Sequence, residues 1–183
     1  MMKKSLPAWL VMLLAALPCA AGAMRPAGQA AEVTLQTVEP FSYVCIPVKG
    51  SFAKIQEAVP NLLSEMAAQN TAPTGPLLGI YYNSPEEVDS QALEWEVGFP
   101  VTPMQAIRTP LVLKKWTFTQ VAASVHKGPY SDVGKTIVKM TEWMDANGWV
   151  PAGPFLERYM DMNPSEMRPE DLRTEIWIPC RKK

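Results

Sequence analysis

The segment RTEIWIPC, Arg173 to Cys180, reads as a buried strand with a carboxylate inside it. β-branched and aromatic residues favour a pleated, packed surface, and Glu175 interrupts them. A carboxylate buried without a partner is costly, so Glu175 needs a reason. Side chains alternate along a strand. Ile176 and Ile178 therefore share one face, and Glu175 and Trp177 share the other. An earlier segment, ALEWEVGFPV, has the same form. There Val97 and Phe99 replace the isoleucines, while Glu96 and Gly98 replace Glu175 and Trp177. The apolar pairs are expected to pack under helices, which leaves the glutamate-bearing faces open. Two such faces meeting would form a cleft lined by Glu175, Glu96 and Trp177. Tyr81 and Tyr159, on the strands that precede these segments, would add hydroxyls. The competing reading is an edge strand with Glu175 in water.

The chemistry of such a cleft is specific. A desolvated glutamate tends to hold a proton, and an arriving cation favours its ionised form. Aromatic faces attract cations through their quadrupoles. A carboxyl of raised pKa can also serve as a general acid or base. Glu175 would therefore be the anchor of a binding site or, in a hydrolase, the catalytic residue. The residue alone does not separate the two.

The elements that position these residues follow from a repeat. Lys49-Gly50 matches Lys127-Gly128 at an offset of 78, as do Gly75-Pro76 with Gly153-Pro154 and Tyr81 with Tyr159. One added residue then shifts the register to 79. Pro85 matches Pro164, Leu93 matches Leu172, Glu96 matches Glu175 and Pro100 matches Pro179. The constant register points to a tandem duplication. Each copy opens with a strand, FSYVCIPV or WTFTQVAASV, followed by a Lys-Gly turn. A helix comes next: Ile55, Val59, Leu62, Leu63 and Met66 fall at helical spacing, and Val133, Ile137, Met140, Thr141 and Met144 repeat it. Pro60 either kinks the first helix or marks its start. Two strands complete each copy. The expected fold is α+β: a tandem duplication of a β-α-β-β unit, with antiparallel sheet, one helix per repeat and a cleft between the halves.

Residues 1–23 have the layout of a secretory signal. Lys3 and Lys4 precede an apolar run, and small residues end at Ala21-Gly22-Ala23, with cleavage expected after Ala23. Pro18 before Cys19 argues against a lipoprotein signal. The run is short for a bilayer span, so no stable membrane span is expected once it is removed. Residues 24–32 form a linker, and residues 33–183 a single domain of two repeats, about 33–110 and 111–183. The expected location is periplasmic or secreted. Cys45 and Cys180 then remain, and a disulfide between them or two buried thiols are both open readings.

Formal net charge is −1, and 48% of residues are hydrophobic. The first argues against nucleic acid as a partner, and the second provides for a core. His126 is the sole histidine and has no suitably spaced cysteines, so no metal site is expected. No phosphate-binding loop or nucleophile elbow is present, and no cofactor is expected. Tyr82 must face away from Tyr81, and Trp95 must face the helices. Trp143 and Trp149 flank the end of the second helix, and Met160, Met162 and Met167 cluster in a loop region of the second copy.

The duplicated plan, with HKGPY, GWVPAGPFLERY and EIWIPC, resembles the GyrI-like, or AraC-type effector-binding, domain over Phe41 to Cys180. That resemblance implies a pocket at the junction of the halves for small, often cationic and aromatic, ligands. It implies Glu175 as the acidic contact, with aromatic residues lining the rest. Some standalone members hydrolyse cyclopropane-containing compounds with a glutamate. The related haem-binding SOUL fold raises haem as a further ligand, which no residue here requires. The resemblance thus implies a small-molecule binding protein, which the signal layout would export, with a hydrolase as the first alternative; a protein-interaction module is the second.

Overall fold

The computed structural model describes residues 32–102, 106–161 and 163–183. The signal and nearly all of the linker expected above lie outside them, as does Met162. The elements are β1 (Thr34–Thr37), β2 (Phe41–Lys49), α1 (Ile55–Ala68), β3 (Leu77–Tyr81), β4 (Glu94–Pro100), β5 (Val112–Trp116), β6 (Gln120–Lys127), α2 (Val133–Ala146), β7 (Trp149–Pro151), β8 (Phe155–Tyr159) and β9 (Arg173–Lys182). The strands run in the order β1-β6-β9-β8-β3-β4-β2-β5, all antiparallel, with β7 on β9. The α+β duplication is present: β2-α1-β3-β4 is repeated as β6-α2-β8-β9. The two copies join through β3 and β8, where Gly79 pairs with Glu157.

β1 and β5 were not anticipated. Each precedes one copy and completes the sheet of the other: β1 pairs with β6, and β5 with β2. The expected strand WTFTQVAASV is in fact the end of β5, a crossing and then β6. α1 runs through Pro60 without a break. Its apolar stripe buries Ala58, Leu62 and Met66, while Leu63 lies in solvent.

Both helices lie on one face. α1 covers Val44, Trp95 and Val97, and α2 covers Ala122, Ile176 and Ile178. These are the apolar faces expected to lie under helices. The other face is not open. β1 and β2 stand six strand positions apart, about 29 Å in a flat sheet. Only residues 38–40 join them, a reach of about 14 Å. Residues 117–119 tie β5 to β6 under the same constraint, and the Val38 amide donates to the Thr119 carbonyl at 2.8 Å. The sheet must therefore curl away from the helices. Phe41 of β2 meets Trp177 of β9, with ring centroids 6.5 Å apart. Tyr43, Leu78, Ile80, Trp116, Leu156 and Trp177 fill the curl as a core of their own.

Gly98 sits where the second copy has Trp177. A Cβ there would lie 2.5 Å from the Val44 carbonyl oxygen and 3.0 Å from the Cys45 Cβ. Gly98→Ala should therefore cost about 3 kcal/mol in urea unfolding. Wild-type stability in that variant would contradict the close approach of β2 and β4.

Cys45 lies in the helix-free core and Cys180 in the core under α2. They are free thiols on opposite faces of the sheet. His126 is structural: its Nδ1 bonds Thr136 Oγ1 at 2.8 Å and its Nε2 bonds the Pro129 carbonyl at 3.1 Å.

Candidate functional site

Three carboxylates are largely withdrawn from water on the strands. Glu96 is 1% exposed, Glu157 is 8% exposed, and the Glu175 side chain is 17% exposed. Two of them have cations. Glu175 is paired with Arg158, its cross-strand neighbour on β8, and accepts from Trp177 Nε1 at 3.0 Å. The Arg158 guanidinium also stacks over the Trp177 ring at 4.6 Å. Glu96 is paired with Lys114 and accepts from Tyr43 at 2.7 Å and Tyr82 at 3.0 Å.

Glu157 differs. It projects from β8 on the helix face, at the seam between the copies. Tyr159 donates to its Oε2 at 2.8 Å, and the Tyr81 hydroxyl lies 3.5 Å from the same oxygen. The two tyrosine hydroxyls are 2.8 Å apart. Among the described residues, no cation pairs with Glu157. Burial pushes its carboxyl up to about 7, against the opposing pull of the Tyr159 and Tyr81 hydrogen bonds. The tyrosines are held neutral by the same burial and by the carboxylate beside them.

The repeat explains the arrangement. Tyr81 and Tyr159 are matched positions, so a pseudo-twofold brings their hydroxyls together. Glu157 matches Gly79, so the seam carries one carboxylate rather than two. Gly79 also makes room: a Cβ there would fall 2.7 Å from the Tyr81 hydroxyl. α1 rests on β2 and β4, and α2 on β6 and β7, so β3 and β8 lie between the helices. Aromatic rings flank the seam. Phe52 meets Tyr81 edge-on at 5.1 Å, Trp95 stacks on Tyr81 at 6.4 Å, and Tyr130 meets Tyr159 edge-on at 5.2 Å. Phe52 and Tyr130 are again matched positions, each just after a Lys-Gly turn.

The residues expected to share one cleft are thus divided. Tyr81 and Tyr159 do come together, but on the helix face. Glu175 and Trp177 lie together on the opposite face, where Trp177 is core and Glu175 already has its cation. Glu96 is on that face too, on β4 beside the seam strand β3, in a network of its own. The expected cleft of Glu175, Glu96, Trp177, Tyr81 and Tyr159 is corrected on this point. Period-2 alternation placed Glu96, Glu175, Trp177 and the apolar pairs on their proper faces, but the two tyrosines expected beside the glutamates lie on the helix face, and the helix-free face is folded upon itself. Glu157 was missed, although it shares a strand face with Tyr159 by the same alternation.

A family model described as the GyrI-like small molecule binding domain matches residues 31–181. The chain belongs to this family. No curated protein is a significant match. Among solved structures, the EcmrR C-terminal domain has a TM-score of 0.74 at 17% identity, covering 84% of this chain and 99% of that one. An EcmrR–DNA complex has a TM-score of 0.75 at 16% identity, and there the match covers 84% of this chain and 59% of that one. A hydrolase from Listeria innocua gives 0.62 at 16% identity, covering 82% and 92%. SAV2435 bound to tetraphenylphosphonium gives 0.52 at 15%, covering 82% and 94%. At these identities the likeness is one of fold. The GyrI-like sheet carries the seam described above, and among the described residues no helix is long and apolar enough to cross a membrane.

Proposed function

We propose that this GyrI-like domain binds lipophilic, aromatic cations between its two helices, with Glu157 as the counter-ion. The observation that carries the reading is the contrast among the three carboxylates. Glu96 and Glu175 each hold a cation of the chain, and Glu157 holds only two tyrosine hydroxyls. A buried carboxylate without a cation is unfavourable, and a ligand cation would supply what is missing. The aromatic rings along the seam would meet the ligand's apolar groups and its charge. One structural neighbour is described as bound to tetraphenylphosphonium, which makes that cation a suitable probe.

The pKa of about 7 sets a pH dependence. Below it Glu157 is protonated, and a cation must displace the proton. Affinity for tetraphenylphosphonium should therefore rise about tenfold per pH unit up to pH 7 and level off above it. Calorimetric titration across pH 5–9 checks this. Binding that is saturable but flat in pH would remove Glu157 from the site.

The same raised pKa supports a second reading, a hydrolase in which Glu157 exchanges a proton with substrate or water. Some structural neighbours are described as hydrolases. Turnover that disappears in Glu157→Gln would select this reading. The basic and then apolar start of the chain suggests export, so the binding step would lie outside the cytoplasm. Fractionation of cells expressing the tagged full-length chain tests that: a purely cytosolic, uncleaved product would refute it.

A further inference from the structure

On the helix-free face, at the end of the curl, lies a cleft of about 430 Å³ lined by Pro47, Lys49, Tyr82, Glu94, Glu96 and Lys114 among others. That volume is in the range of small-ligand sites. It is separate from the Glu157 seam, since Tyr82 follows Tyr81 in the chain and points to the opposite face. Both oxygens of the carboxylate at its floor are engaged. Glu96 Oε1 takes the Tyr43 and Tyr82 hydroxyls, and Oε2 takes the Lys114 ammonium. The Tyr82 hydroxyl also accepts from Lys114 at 3.3 Å.

What remains unspent is a donor. An ammonium has three N–H groups, and Lys114 uses two of them on Glu96 and Tyr82. Its side chain is 34% exposed, against 1% for Glu96. A ligand entering the cleft therefore meets the ammonium and not the carboxylate beneath it. Glu94, the other acid at the rim, is occupied by Lys49 at 3.2 Å. Tyr82 is 47% exposed, and its ring lies beside the ammonium, 5.5 Å from Nζ to the ring centre. Pro47 is exposed nearby and offers a second apolar surface. A flat apolar body with an anionic end fits this set: the ring lies on Tyr82 and Pro47, and the carboxylate accepts the third N–H of Lys114.

We propose that this cleft is a second small-molecule site, selective for aromatic carboxylates, independent of the cation site on the helix face. The buried Glu96 network acts as its base plate, fixing both the Lys114 ammonium and the Tyr82 ring. Glu96 takes no part in contacting the ligand.

The test is a titration of the protein with benzoate, followed by amide NMR shifts, which locate the ligand. Benzyltrimethylammonium serves as the oppositely charged control. Saturable shifts centred on Tyr82 and Lys114 are expected with benzoate and not with the cation. Because loss of Lys114 strands Glu96, the main variant is Tyr82→Ala, in which benzoate should bind about tenfold more weakly. Lys114→Gln, with folding verified by its amide spectrum, should abolish binding. Glu157→Gln should leave benzoate binding unchanged while removing cation binding, so the two sites fail separately. No saturable shift at this cleft in the wild type, or wild-type benzoate affinity in Tyr82→Ala, would overturn the proposal. So would loss of benzoate binding in Glu157→Gln.

Discussion

Glu157→Gln is expected to abolish tetraphenylphosphonium binding and, at pH 8, to melt several degrees higher than the wild type. The two effects have one cause. The folded-state carboxyl has a pKa of about 7, above the ordinary carboxylate value near 4.5. The folded protein therefore holds this proton more tightly than the unfolded chain. Stability falls as pH rises from about 4.5 through 7 and is level above. The accumulated cost at pH 8 is roughly 3 kcal/mol. Glutamine keeps the shape and an acceptor for the tyrosines without the charge, and should recover about 1–3 kcal/mol of that cost. In a domain of this size that is a shift of several degrees. Near pH 4 both proteins are neutral at this position and should melt together. Thermal melts at pH 4, 6 and 8 check the window. A variant less stable than the wild type at pH 8 would mean that Glu157 contributes to the fold rather than to binding.

The second large effect is expected at Lys114. Glu96 is almost wholly buried, and Lys114 is its cation. Removing one partner of such a pair leaves a charge in low dielectric, at a cost of about 3–5 kcal/mol. Lys114→Ala should lose that much in urea unfolding at pH 7. Glu96→Gln added to Lys114→Ala should restore a good part of the loss, because the amide needs no counter-ion. Lys49→Ala is the control. Its partner Glu94 is exposed, and an exposed pair contributes little. Equal losses in Lys114→Ala and Lys49→Ala would show that the Glu96 network contributes no more than a surface ion pair.

The repeat made the plan of the molecule readable before any coordinates. A constant offset of 78 and then 79 required two copies of one β-α-β-β unit, and alternation assigned the residues of the last strand of each copy to their faces, while Tyr81 and Tyr159 were expected beside the glutamates and lie on the helix face. Val97, Phe99, Ile176 and Ile178 lie on the helix face, as alternation required. What the sequence did not disclose is which face stays accessible. That depends on the curl, and the curl depends on β1 and β5. TLQT and VLKKW are short, largely exposed strands with little apolar patterning, so they carry no strong periodic signal. Without them the helix-free face looks bare, and Glu175 looks like a cleft residue. Its partner, Arg158, sits opposite on β8, and cross-strand register is not readable from a single strand. Glu157 was within reach: it alternates with Tyr159, and its match in the other copy is a glycine. A carboxylate at one of two matched positions, beside a conserved-in-repeat tyrosine pair, marks the seam as asymmetric.

β1 and β5 also bear on how such a chain could have arisen. Each copy borrows its outer strand from the stretch that precedes the other. A single copy on its own would carry an unpaired strand at one end and a bare sheet edge at the other. Two separate copies could satisfy both by exchanging those strands, which is the geometry of a domain-swapped homodimer. The present chain has the arrangement of that dimer with its two halves joined. Halves joined in one chain need not be identical, and the seam shows the difference: one half has Gly79 at the axis, and the other has Glu157.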